Sequence, residues 1–192
     1  MSKSNLPPRR KKQKWPGWKP RRQLNRQGRT MTATYDLTAS DFWAFSTRLY
    51  SDPAIAALCL RLQDNAGVNV NMLLFLCWCL KHQRLVVLKQ WHTLKAAIAH
   101  SEHQLQQHRQ RRRAARHDVS EEHAQYAQLK ASELELEAQQ QADLVSAYNN
   151  MTVDTTDIPG INASVVAFIH AYNLRDNTAA IADIRQIIKE SV

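Results

Sequence analysis

MLLFLCWCLKH (72–82) decides the fold. From Met72 to Leu80 the run is apolar on every side, so a helix built from it must be surrounded by others. It is too short to span a bilayer, which takes about 20 residues. The expectation is a buried central rod wrapped by amphipathic neighbours, which leaves no cleft equipped for catalysis.

Working outward, Asn69 or Asn71 supplies the N-cap of this rod, and Gly67 stops the preceding helix in the left-handed conformation. That helix starts at Ser51-Asp52-Pro53, with Asp52 as cap and Pro53 in its first turn. Ile55, Leu58, Cys59 and Leu62 recur at the spacing of one buried face. Upstream, Thr38 caps a further helix, with Asp41 in its first turn. It buries Phe42, Phe45 and Leu49, and carries Trp43 and Tyr50 on a second stripe. After Met31 only Pro53 and Pro159 interrupt the chain, and Val, Ile and Thr never alternate over the length of a strand. The fold class is all-α: a three-helix hydrophobic block, a long antiparallel helical hairpin, a C-terminal helix pair and a disordered basic tail.

FWAFSTRLY (42–50) and LCLRLQDNAGVNVNMLLFLCWC (58–79) resemble the signature of a proteobacterial family of uncharacterised short proteins, FW-x-F-S…LY…P…CL-x-LQD-x-x-G-x-DVN-LLL…W. The likeness covers residues 38–95, and Asn69 stands where the family pattern has Asp. The family is a domain of unknown function, so the resemblance implies no activity. It does imply a bacterial protein whose gene neighbour is a translation-associated ATP-binding-cassette protein, which points toward the ribosome.

From Leu85 a continuous helix is expected to reach Arg116. Val87, Trp91, Leu94, Ile98, Ser101, Leu105 and His108 mark a four–three seam along it. A turn at 118–120 leads into a second helix ending at Tyr148, with its own seam of Ala127, Ala131, Leu134, Ala138, Gln141, Val145 and Tyr148. Two such helices form an antiparallel, coiled-coil-like hairpin. Arg109, Arg111, Arg112, Arg113 and Arg116 on one arm face Glu121, Glu122, Glu133, Glu135 and Glu137 on the other, so the charges read mainly as internal complementarity. A basic hairpin tip touching nucleic acid is the other reading. Asn162 begins a helix with Val165, Phe168 and Tyr172, and Asn177 or Thr178 begins a last one with Ile181, Ile184, Ile187 and Ile188. The chain thus divides into a tail (1–37), the block (38–84), the hairpin (85–149) and a helix pair packing back on the block (150–192).

Charge is distributed unevenly. The chain has 26 Lys/Arg and 17 Asp/Glu. Residues 1–30 hold eleven of those cations and no acid, so the remainder is close to neutral. Within PRRKKQKWPGWKPRR, the residues Arg9, Arg10, Lys11, Lys12, Lys14, Lys19, Arg21 and Arg22 can neutralise phosphates, while Trp15 and Trp18 can stack on unpaired bases. RNA or the ribosome is the expected partner of that segment. An alternative start at Met31 is also legible, because Gln27-Gly28 can be encoded by a purine-rich CAGGG at ribosome-loading distance. The function is then a protein–protein module using the hairpin or the C-terminal helices.

Catalytic chemistry is sparse. Four Gly cannot make a phosphate-binding loop, and Cys77 and Cys79 point to different sides of one helix. Three Cys without a signal peptide suit a reducing, cytoplasmic setting. No metal or cofactor is expected, because the His residues lack ligand spacing. Gln63, Asp64, Asn69 and Asn71, with Trp43 and Tyr50 nearby, form the candidate recognition surface; helix capping is their plainer reading. A lone acid without a base or nucleophile is no mechanism, so a non-enzymatic binding or adaptor protein is expected.

Overall fold

Cap chemistry sets the first three helices. Thr38 Oγ1 accepts from the N–H of Asp41, at 3.1 Å, and opens α1 (Ala39–Tyr50). Asp52 accepts from the N–H of Ala54 at 2.8 Å, and α2 (Pro53–Ala66) begins directly on Pro53. Asn69 accepts from the N–H of Met72 at 2.8 Å, so Asn69 rather than Asn71 is the cap of α3 (Val70–Lys81). Between α2 and α3, Gly67 has φ 62°. A Cβ there would meet nothing within 4 Å, so Gly67→Ala should cost only the left-handed backbone penalty, about 1 kcal/mol. Urea unfolding reads that loss; no loss, or one several times larger, would contradict this account of the turn.

The structure is a computed structural model and describes residues 37–115, 122–155 and 163–191. The chain continues through β1 (Arg84–Leu85), α4 (Leu88–Ala97), α5 (Ala99–Ala115) and α6 (Glu122–Asn149). It closes with β2 (Asp154–Thr155), α7 (Ala163–Ala171) and α8 (Thr178–Ser191). The expected turn at 118–120, the Asn162 cap, Arg116, Glu121 and the whole basic tail lie outside the described residues.

The all-α expectation holds, and α3 is its axis. Every residue of α3 from Asn71 to Leu80 is buried, and α1, α2, α6, α7 and α8 all pack on it. Phe75 lies at the centre of an aromatic cluster, 5.2 Å from Phe42, 5.1 Å from Tyr148 and 6.3 Å from Trp91 between ring centroids. Trp91 in turn meets Phe168 of α7 edge-on at 5.1 Å. On α8, Ile184, Ile187 and Ile188 turn inward against α2 and α3, and Asn177 caps that helix through the N–H of Ala180. The chain entering α1 is tied to the end of α6, where Asn149 exchanges two hydrogen bonds with the backbone of Leu37.

Two expectations need correction. The helix expected from Leu85 to Arg116 is not continuous. Its first residues are extended, pairing antiparallel with β2 as Arg84 with Thr155 and Leu85 with Asp154. Val86 is fully buried there and donates its N–H to Ser164 Oγ. A second interruption falls at Ile98, with no Gly or Pro to announce it. It keeps Trp91, Leu94 and Ile98 on the core while α5 departs along α6.

The seam of α6 is also turned from the expected one over its first half. Ala127, Ala131 and Leu134 are exposed, Leu134 by 54%, and Leu129, Glu133 and Glu137 occupy or approach the hairpin interface instead. Val87, at the head of the other seam, is likewise exposed. Charge complementarity decides the register here. Arg109 reaches both Glu133 and Glu137, Arg112 reaches Glu133, and Arg109 and Glu133 keep only 12% of their side-chain surface. Few apolar groups are available on these helix faces, and half-buried charges require partners.

Candidate functional site

The loop that reverses the chain between α2 and α3 places Asn69 and Asn71 two residues apart at the start of the central rod. Both are buried, at 7% and 6% exposure. The Asn69 amide donates to Gln140 Oε1 at 2.9 Å and to the Glu102 carboxylate of α5. Asn71 donates to the same Gln140 oxygen at 2.8 Å and accepts from Gln141 Nε2 at 2.9 Å. Gln140 completes the ring by donating to Glu102 Oε2 at 3.1 Å. Glu102 also accepts from Gln106 at 2.9 Å. Four amides and one carboxylate from α3, α5 and α6 thus satisfy one another where the three helices meet. Such a network is stabilising only when nearly complete, and here Gln141 Oε1 alone remains without a partner.

Above this layer a solvent-open cleft of about 250 Å³ runs between the α2–α3 turn and α5. Gln63, Asp64 and Gly67 form one wall, and Glu102, Gln106, Arg109, Gln110 and Arg113 form the other. Arg113 crosses the opening to Asp64 at 2.9 Å, an exposed pair of the kind that adds about 0–1 kcal/mol. Arg109 is held back by Glu133 and Glu137. Burial pushes the Glu137 carboxyl above its ordinary range, and the Arg109 guanidinium opposes that shift.

Of the six residues expected to make a recognition surface, only Gln63 and Asp64 line this cleft. Asn69 and Asn71 lie beneath it, inside the protein. Trp43 is half-buried on α1. Tyr50 is half-buried too; its phenol is raised by burial and by the neighbouring Cys59, Glu137 and Glu133, with Arg109 opposing. The structure therefore does not gather the six into one face. Glu102 and Gln140 are not among the residues expected at a site, and Gln141 is expected only as part of the α6 seam, where it is indeed buried. The spacing of Gln140 and Gln141 with Leu144 and Val145 was the available signal, because two polar residues sit there in the same helical repeat as two core residues.

The chemistry open to the cleft is limited. Asp64 has Arg113 as its partner. Burial pushes the thiols of Cys59 and Cys77 up to about 12, which keeps them protonated and unreactive. Among the described residues no group of three His, Cys, Asp or Glu is placed to hold a metal ion. None of the described helices is long and apolar enough to cross a membrane.

A family model described as a protein of unknown function, DUF2390, matches residues 41–144, more than half of the chain. The two stretches whose resemblance was noted above, 42–50 and 58–79, lie inside that match. No curated protein and no solved structure matches the chain.

Proposed function

We propose that this chain, which belongs to the DUF2390 family of proteins of unknown function, is a non-enzymatic, cytoplasmic binding protein that associates with RNA, free or ribosomal, through its basic N-terminal segment. The observation that carries this reading is the separation of charge: eleven Lys/Arg and no acid in residues 1–30, ahead of a near-neutral remainder. In the helical body three cations of the hairpin already have acidic partners, Arg109 and Arg112 in Glu133 and Glu137, and Arg113 in Asp64. The largest concentration of positive charge in the sequence is the segment that carries Arg9, Arg10, Lys11, Lys12, Lys14, Lys19, Arg21 and Arg22, which makes it the main long-range attraction to phosphate. Trp15 and Trp18 within it add stacking on unpaired bases.

The test is retention on single-stranded RNA as salt is raised. If about five of those cations meet phosphates, affinity falls about a hundredfold between 50 and 200 mM salt. Replacing the Lys and Arg of residues 9–22 by Gln should remove most of it. Equal, salt-tolerant retention of a partner by that variant would overturn the RNA reading in favour of a protein-binding module. Exposed Val87 and Leu88 at the start of α4, Leu134 on α6 and Val166 on α7 are among the apolar positions such a module has to offer.

A further inference from the structure

A cluster of cations lies at the opposite end of α3 from the amide network, with Asp41 as the one acidic group acting on its His82 among the described residues. Lys81 closes the last turn of α3, His82 is its C-cap, and Arg84 opens β1. Arg48, in the last turn of α1, approaches the ring of Phe45 to 5.9 Å, and Lys81 approaches the same ring to 5.6 Å. Among the described residues no carboxylate forms an ion pair with any of these four side chains. Arg84 stands out most, because its Nε is buried and without a hydrogen-bond partner.

An aromatic surface lies among these cations. The His82 ring stacks on Trp78 with centroids 4.3 Å apart and planes at 30°. Trp78 is nearly buried and stacks in turn on Phe75 at 6.0 Å. The His82 ring is therefore the solvent-facing end of a supported aromatic column. Gln83, between His82 and Arg84, is one of two non-glycine residues in the described chain with positive φ, at 55°. This tight reversal sets Arg84 beside His82 instead of a further helical turn away.

We propose that Arg48, Lys81, His82 and Arg84 form a nucleotide-binding patch for single-stranded RNA, with the bases stacking on His82 and the phosphates meeting Lys81 and Arg84. The patch deepens the function proposed above and rests on it for the identity of the polyanion. A plainer account covers part of the cluster: Lys81 and His82 suit the negative end of the α3 dipole. The same account covers Arg48, in the last turn of α1, and leaves Arg84, which lies beyond the helix. Imidazole on an aromatic support, flanked by guanidinium and ammonium groups, matches the way unpaired bases and their phosphates are held. The charged groups acting on His82 are Lys81 and Arg84, which with burial hold its pKa below the ordinary histidine range, and Asp41, which opposes them. A phosphate placed between Lys81 and Arg84 offsets the smaller, charge part of that shift while a stacked base adds to the larger, burial part, so RNA binding should displace the His82 titration.

The test uses the full chain, a short oligouridylate, and three proteins: the unaltered chain, K81Q/R84Q, and the variant with residues 9–22 neutralised. Imidazole resonances are followed by NMR over pH with and without RNA, beside a salt-dependent binding isotherm. The expected results are displaced His82 imidazole resonances on binding and about tenfold weaker binding by K81Q/R84Q. Its salt slope should be shallower by about 0.7 for each phosphate contact removed. Unchanged His82 resonances, with K81Q/R84Q binding as tightly as the unaltered chain, would overturn the patch. If the tail-neutralised variant still lost affinity in that case, the basic segment would stand alone as the RNA contact. If instead neutralising the tail had no effect while K81Q/R84Q lost binding, the patch would stand and the tail reading would fall.

Discussion

Phe75→Ala is expected to destabilise the protein by about 3–5 kcal/mol, the range for truncating a fully buried aromatic residue. Phe75 is 0% exposed, and its ring touches side chains from α1, α4 and α6 as well as Trp78 of its own helix. Truncation opens a void that no single neighbour can fill, because the four surrounding rings are each anchored on a different backbone segment or one turn away. Part of the loss is the edge-to-face geometry itself, since such ring pairs add about 0.5–1.5 kcal/mol beyond the buried area. The measurement is the urea midpoint with the slope held constant. A shift below about 1 kcal/mol would mean that α3 is not the packing centre of the molecule.

Gln140→Ala should be the most damaging polar substitution. Gln140 is fully buried. Its oxygen accepts from both Asn69 and Asn71, and its amide donates to Glu102. Removing it orphans one Asn71 donor and one Asn69 donor at once. At about 1–3 kcal/mol for each buried group left unpaired, the expected loss is about 2–5 kcal/mol. Leu134→Ala, six residues earlier on the same helix, should stay within about 0.5 kcal/mol because its side chain faces solvent. The contrast inverts what hydrophobicity alone suggests for this helix. If Leu134→Ala proved the costlier change in chemical denaturation, the orientation assigned to α6 would be wrong.

That contrast also marks where the sequence was legible. The centre was plain, because a nine-residue apolar run cannot present a polar face and has to be enclosed. The caps were plain for a related reason: Thr38, Asp52-Pro53 and Gly67 each satisfy a backbone requirement that is local in the chain. The orientation of α6 was not legible. A four–three reading through Ala127, Ala131, Leu134 and Ala138 assumes that small and apolar residues mark the buried stripe. Glu133, Glu137 and Gln140 have compatible spacing, and they win because Arg109, Arg112, Asn69 and Asn71 lie across from them. Partners from distant segments decided the matter, and no window of a single helix contains them. The same holds for the strand pair of Arg84–Leu85 with Asp154–Thr155. Two residues are too few to alternate, and their pairing is visible only once α7 has brought Ser164 under Val86.

For the candidate site the outcome is similar. The position of Asn69 and Asn71 at the head of the rod leaves either one able to cap it, and Asn69 takes that role. That the pair points inward, to a network whose other members lie 31 to 72 residues away in sequence, could not be read from spacing. Asp64 and Gln63 do reach a cleft, and the far wall of that cleft is α5.

The arm made by α5 and α6 changes character along its length. Near the body Leu105 and Leu144 are sealed off from water, while farther out Arg109 and Arg112 clasp Glu133 and Glu137. Ionic strength and urea should consequently act on different ends of one structure. Dissolved salt loosens the outer clasp and leaves the oily root shut, so the arm can slacken at its far end while the molecule stays folded.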